Sequence, residues 1–110
     1  MLTEVFIGKV KSEKFDFDKQ GKWSGYYPEI IENSSKYDSE LFWDIIGEKP
    51  KTKQVDWGCW VLKLNKTDLV AFLSRDKYQD NPSIAFLLDI AKGLNDEENY
   101  LLVAFEDILM

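Results

Sequence analysis

Apolar positions along this chain recur at two different spacings, and the changes from one to the other mark out its elements. Residues 4–10 form a short β-branched run flanked by charge, which predicts an opening strand. Residues 12–25 are polar and punctuated by Gly21 and Gly25, so they read as a loop. Residues 26–31 fit either a short strand or an extended connector. From 36 to 46 the spacing becomes helical: Tyr37, Leu41 and Ile45 recur every fourth position, and Phe42 and Ile46 widen the stripe. Ser35 or Asp38 can cap the start of this helix, and Gly47 with Pro50 ends it.

Residues 55–64 return to alternation. Val55, Trp57, Cys59 and Val61 fall on one face, and Trp60, Leu62 and Leu64 on the other, which predicts an internal strand covered on both sides. Asn65, with Asp68 three residues on, then starts a short helix that buries Leu69, Phe72 and Leu73. Asn81-Pro82 opens a third helix that runs to Lys92 and stops at Gly93. Its apolar residues cover most of its circumference, so it should be largely buried. Residues 100–105 read as a last strand, again apolar on both faces. The sequence therefore predicts an α+β domain spanning residues 1–110. Its order is β-loop-α-β-α-α-β, a small mixed sheet packed by about three helices.

Composition changes the picture mainly by exclusion. The chain has no histidine and one cysteine, Cys59. That removes Ser-His and Cys-His nucleophile systems, imidazole acid-base chemistry and a four-ligand zinc site. The net charge of -6 opposes binding to nucleic acid and to anionic membranes, and favours basic partners. No run approaches the length of a membrane span, and the N-terminus lacks the basic start of a signal peptide. A lone cysteine fits a reducing compartment, so the expected location is cytoplasmic. The Lys-, Asn- and Asp-rich composition points to an A+T-rich bacterial or phage genome. The expected protein is not an enzyme and needs no cofactor.

Several local patterns carry residue types capable of chemistry. Asp16 and Asp18 with Gly21 match the opening of a calcium loop, but Lys22 and Tyr27 stand where ligands belong, so an acidic surface loop is the better reading. Twenty acidic residues make chance carboxylate pairs inevitable, and nothing in the sequence selects two for glycoside chemistry. Cys59, in mid-strand, reads as a small buried apolar residue. The segment 49–66 is a basic island, with five basic side chains and one acidic in an otherwise acidic chain. Lys49, Lys51 and Lys53 there read as a solvated turn.

The aromatic surplus is more informative. Trp23, Tyr26 and Tyr27 crowd one loop-like stretch, and Trp and Tyr anchor binding surfaces through large area and a polar handle. On the first helix, Trp43 falls nearly opposite the apolar stripe, with Glu40, Asp44 and Glu48 near that edge. In size, charge and aromatic content the chain resembles the small acidic immunity proteins of bacteria. That resemblance implies a toxin inhibitor that clamps a basic protein surface, such as a nuclease. The contact residues expected are Trp43, Glu40, Asp44 and Glu48 first, and Trp23, Tyr26 and Tyr27 second. Two alternatives stand beside it: a small-molecule or carbohydrate-binding module using the aromatic loop, and a structural subunit of a larger assembly.

Overall fold

The structure, a computed structural model, describes residues 2–19, 26–48 and 51–107. Its elements in chain order are β1 (Leu2–Lys9), β2 (Ile30–Tyr37), α1 (Ser39–Ile46), β3 (Lys53–Asp56), β4 (Cys59–Asn65), α2 (Lys66–Leu73), α3 (Pro82–Lys92) and β5 (Asn99–Asp107). A 3₁₀ turn, Asp76–Tyr78, links α2 to α3. The five strands form one sheet in the order β2-β1-β5-β4-β3, with every pairing antiparallel. The α+β class, a sheet packed by three helices, is the one the sequence indicates.

The helices begin where the sequence places caps. Asp38, Asn65 and Asn81 each accept a hydrogen bond from the backbone N–H three residues on, at Leu41, Asp68 and Ile84. Each bond satisfies a donor that the first helical turn would otherwise leave without a partner. All three helices pack on one face of the sheet. Val5, Ile7, Leu62, Leu102 and Ala104 point from the strands into a core completed by Leu41, Phe42, Ile45, Leu69, Leu73, Ile84 and Leu87. Burying one such Leu, Ile or Phe side chain contributes about 1.5–3 kcal/mol over leaving it exposed. α3 buries only Ile84, Leu87 and Ala91, a single stripe. It is less buried than the sequence indicates, because among the described residues no second layer covers its outer side: Phe86 remains exposed, with the Lys36 ammonium over its ring.

The opposite face of the sheet carries a second cluster: Phe6, Val55, Cys59, Val61, Leu101 and Val103. No helix covers it. Residues 10–17, which follow β1, fold across instead, with Phe15 fully inserted and Phe17 beside it. Lysines of β3 and β4 hold that loop down. Lys53 Nζ donates to the Phe17 carbonyl at 2.6 Å, and Lys63 pairs with Asp18 at 2.9 Å.

Two strands were not foreseen. The stretch 55–64, read as one strand, is a hairpin: β3 ends at Asp56, Trp57 and Gly58 turn, and β4 starts at Cys59. Gly58, at φ +77°, takes the left-handed position that a tight turn needs. A bulge between Gln54 and Asp56 inserts one residue, so Val55, Cys59 and Val61 all reach the same cluster. The sequence alternation therefore continues across the turn without revealing it, but Trp57, expected on the covered face with Val55 and Cys59, stands at the turn 74% exposed because it belongs to neither strand. The other strand is β2, whose residues 30–37 are mostly polar. Tyr37 ends this strand instead of joining the helical stripe, because Asp38 caps α1 one residue later.

β2 is irregular for a visible reason. Phe6 pairs with Ser35 and Gly8 with Ile30, so Ile7 alone stands opposite residues 31–34. Asn33 bends the chain at φ 56°, a conformation Asn tolerates better than most residues. The fully buried Ser34 hydroxyl then accepts from Ile7 N–H at 3.1 Å and donates to Ile7 C=O at 2.9 Å. It thereby replaces the ladder that the bulge interrupts. Both edge strands, β2 and β3, are thus bulged, which discourages edge-to-edge pairing between molecules.

Candidate functional site

α1 presents its outward face as expected in one respect. Trp43 is 59% exposed, and its ring packs edge-on with that of Phe42, with centroids 5.1 Å apart. Its carboxylate neighbours differ from one another. Glu40 is exposed and lies at 3.4 Å from Asn81 Nδ2. Asp44 and Glu48 turn toward the segment after α2: Lys77 reaches Asp44 at 2.9 Å, and Arg75 approaches Glu48 at 3.7 Å. Tyr78 also donates its hydroxyl to Asp44. Partial burial works to raise the Asp44 pKa, but the hydrogen bonds from Tyr78 and Lys77 prevail and hold it below the usual value. Burial, reinforced by the bond to Asp44, pushes the Tyr78 hydroxyl up. Both acidic groups thus serve the joint between α1 and the 3₁₀ turn, and Glu40 is the one left facing outward. Spacing along the chain could not show this, since the cations arrive from residues 75–77.

Asn81 makes that joint tighter. Its Oδ1 caps α3, while its Nδ2 donates to Asp38 Oδ2 at 2.7 Å, and Asp38 in turn caps α1. Two helix starts therefore share one network of side chains. Beside it lies an open groove of about 480 Å³ lined by Glu40, Asp76, Lys77, Asp80, Asn81 and Pro82.

Of the second group, Trp23 lies outside the described residues. Tyr26 is exposed. Tyr27 is 45% exposed but firmly placed: its hydroxyl donates to Asp56, and its ring meets the edge of Phe105 at 5.7 Å and 82°. The hydrogen bond to Asp56, with some burial, pushes the Tyr27 pKa up to about 12. The same bond, with a second from Trp57 N–H, holds the Asp56 carboxyl below its ordinary value. Tyr27 is therefore part of the sheet surface, anchored to β3 and β5.

That placement exposes a feature absent from the sequence reading. Tyr37 pairs with Glu4, Glu4 with Phe105, Phe105 with Cys59, and Cys59 with Asp56. These five residues form one row across all five strands, on the face away from the helices. Tyr37 is 58% exposed, and Trp57 at the adjoining turn is 74% exposed. Ser35 donates its hydroxyl to Glu4 from the neighbouring row. The residues come from four distant stretches of sequence, and the only local hint was the aromatic surplus itself.

The remaining candidates resolve into structural roles. Cys59 is fully buried, and burial, with the Asp56 charge beside it, pushes its thiol up to about 12. Asp16 closes its own turn by accepting from Asp18 N–H and faces Lys11 at 3.9 Å. Of the basic island, Lys49 lies outside the described residues, and Lys53 fastens the covering loop. An open groove of about 490 Å³ at the far end of the sheet is lined by Lys9, Lys11 and Lys63. Their ammonium groups pair with Glu29, Asp16 and Asp18. Among the described residues no group of three carboxylates or thiols could hold a metal ion. No helix among them is long and apolar enough to cross a membrane. Comparison with protein families, with curated proteins and with solved structures finds no match to this chain.

Proposed function

We propose that this protein is a non-enzymatic inhibitor that occludes a basic protein partner, in the manner of immunity proteins. The observation that carries the reading is Trp43. A residue type that usually buries its large surface stands 59% exposed on a rigid helix, beside an outward carboxylate, Glu40. An exposed indole on a fixed scaffold loses little conformational freedom when a partner covers it. The net charge of -6 would attract a basic partner and speed encounter. The two grooves described are open to solvent, which suits a protein surface better than an enclosed small molecule. Asp44 and Glu48 contribute indirectly, by fixing the helix against the 3₁₀ turn.

Affinity capture from the source cell tests this reading. Wild-type protein should retain a basic protein in equimolar amount and suppress its activity. Trp43→Ala combined with Glu40→Gln should lose both effects while melting within a few degrees of wild type. Capture that is unchanged by the double substitution, or a captured partner that is acidic, would remove α1 from the contact.

A further inference from the structure

We infer that the partly exposed end of this sheet row binds an arginine side chain of a basic partner protein, seated over the half-buried Glu4 between the exposed Tyr37 and the half-buried Phe105. This surface lies on the face opposite α1 and does not depend on Trp43.

The register supplies the geometry. Tyr37, Glu4 and Phe105 sit on three adjacent strands, directly opposed, with side chains on the same face. Neighbouring strands are about 4.8 Å apart, so the two aromatic residues stand about 10 Å apart with the carboxylate between them. A planar cation fits such a gap, with a ring beside each face and an acceptor beneath. Glu4 accepts one hydrogen bond from Ser35, and a carboxylate offers about four acceptor positions, so it keeps capacity for a guanidinium. Tyr27 and Asp56 extend the row past Phe105 with a second aromatic and a second carboxylate. The row contains two carboxylates and no basic residue.

Charge and chemistry select the occupant. Arginine suits the seat better than lysine, because its flat guanidinium stacks on aromatic faces and engages a carboxylate with two donors. A second copy of this chain is a poor occupant. It would bring a net charge of -6 to an acidic surface, and its single arginine, Arg75, is already engaged by Glu48 and the Phe72 ring.

An NMR titration of the isotope-labelled protein with octa-arginine, and in parallel with octa-lysine, tests the inference. Octa-arginine should shift the amides of Glu4, Tyr37, Phe105 and Tyr27 together. It should bind at least about fivefold more tightly than octa-lysine. Tyr37→Ala with Glu4→Gln should weaken octa-arginine about fivefold or more, and Trp43→Ala should leave it unchanged. The shift map on the unaltered protein stands even if the double variant folds poorly. Shifts confined to Glu40 and Trp43 would overturn this inference while favouring the α1 reading. Shifts spread evenly over acidic surfaces, or equal affinity for the two peptides, would also overturn it.

Discussion

The two faces of the sheet are built from the same strands but closed by different means. On one face three capped helices lay down a continuous core that includes Leu41, Phe42, Ile45, Leu69 and Leu87. On the other a loop inserts Phe15, and two lysines of the sheet fasten the loop at Phe17 and Asp18. A helix covers several strands at once along its length, whereas a loop covers only what its few apolar side chains reach. The row Tyr37-Glu4-Phe105 lies outside the Phe15 cluster, except where Phe105 packs at its margin. Among the described residues the difference leaves one stretch of the loop-covered side open: Tyr37 stands 58% exposed there, beside Glu4 of the neighbouring strand.

The sharpest test of the comparison sets Phe42 against Phe15. Phe42→Ala should cost about 3–5 kcal/mol, since the helices cannot collapse into the cavity without losing other contacts. Phe15→Ala should cost less, because the loop can settle, and it should open one face selectively. Cys59, closed to a thiol reagent in the native protein, should then label rapidly below the unfolding transition. Equal losses in urea melts, with Cys59 still closed in Phe15→Ala, would break the distinction between the two faces.

Alkali should probe the loop-covered face next. The Cys59 pKa is raised from 9.0 to about 12 and the Tyr27 pKa from 10.0 to about 12. Both groups lose a proton more easily in the unfolded chain than in the folded one. Stability from them is therefore complete below about pH 9 and is lost as pH rises toward 12. The melting temperature should fall across that window. Cys59→Ala and Tyr27→Phe should each flatten the decline; a decline unaltered in both would move the alkaline sensitivity to Tyr78, on the helix side.

A smaller effect is expected at Trp43, the neighbour of Phe42 that faces outward. Trp43→Ala should change stability by less than about 1 kcal/mol, because little of its surface is buried. A loss of several kcal/mol in a thermal melt would mean that the indole belongs to the core. The smallest effect concerns calcium. Asp16 is bound up in its own turn and Asp18 in an ion pair with Lys63, so millimolar calcium should leave the melting temperature unchanged. A rise that disappears in Asp16→Ala would show that the loop can release both carboxylates to a metal.

By itself the sequence determined what is local. Helix starts were legible at Asn65 and Asn81, and to within a choice between Ser35 and Asp38 for the first helix, because a cap acts on backbone donors three residues away. β5 was legible because a central strand is apolar on both faces. The exclusion of histidine and zinc chemistry followed from composition alone. The outward side of Trp43 followed from helical geometry. Tertiary structure decided what depends on partners far along the chain. Alternation could not reveal the turn at Gly58, because the bulge at Val55 keeps the pattern in step. A polar edge strand such as β2 carries no hydrophobic signature, since half its hydrogen bonds and one of its faces answer to water. The fates of Asp44 and Glu48 were set by cations thirty residues away, and the row from Tyr37 to Asp56 by four strand pairings. Periodicity reports which way a side chain points from its own backbone; only the assembled sheet fixes what stands beside it.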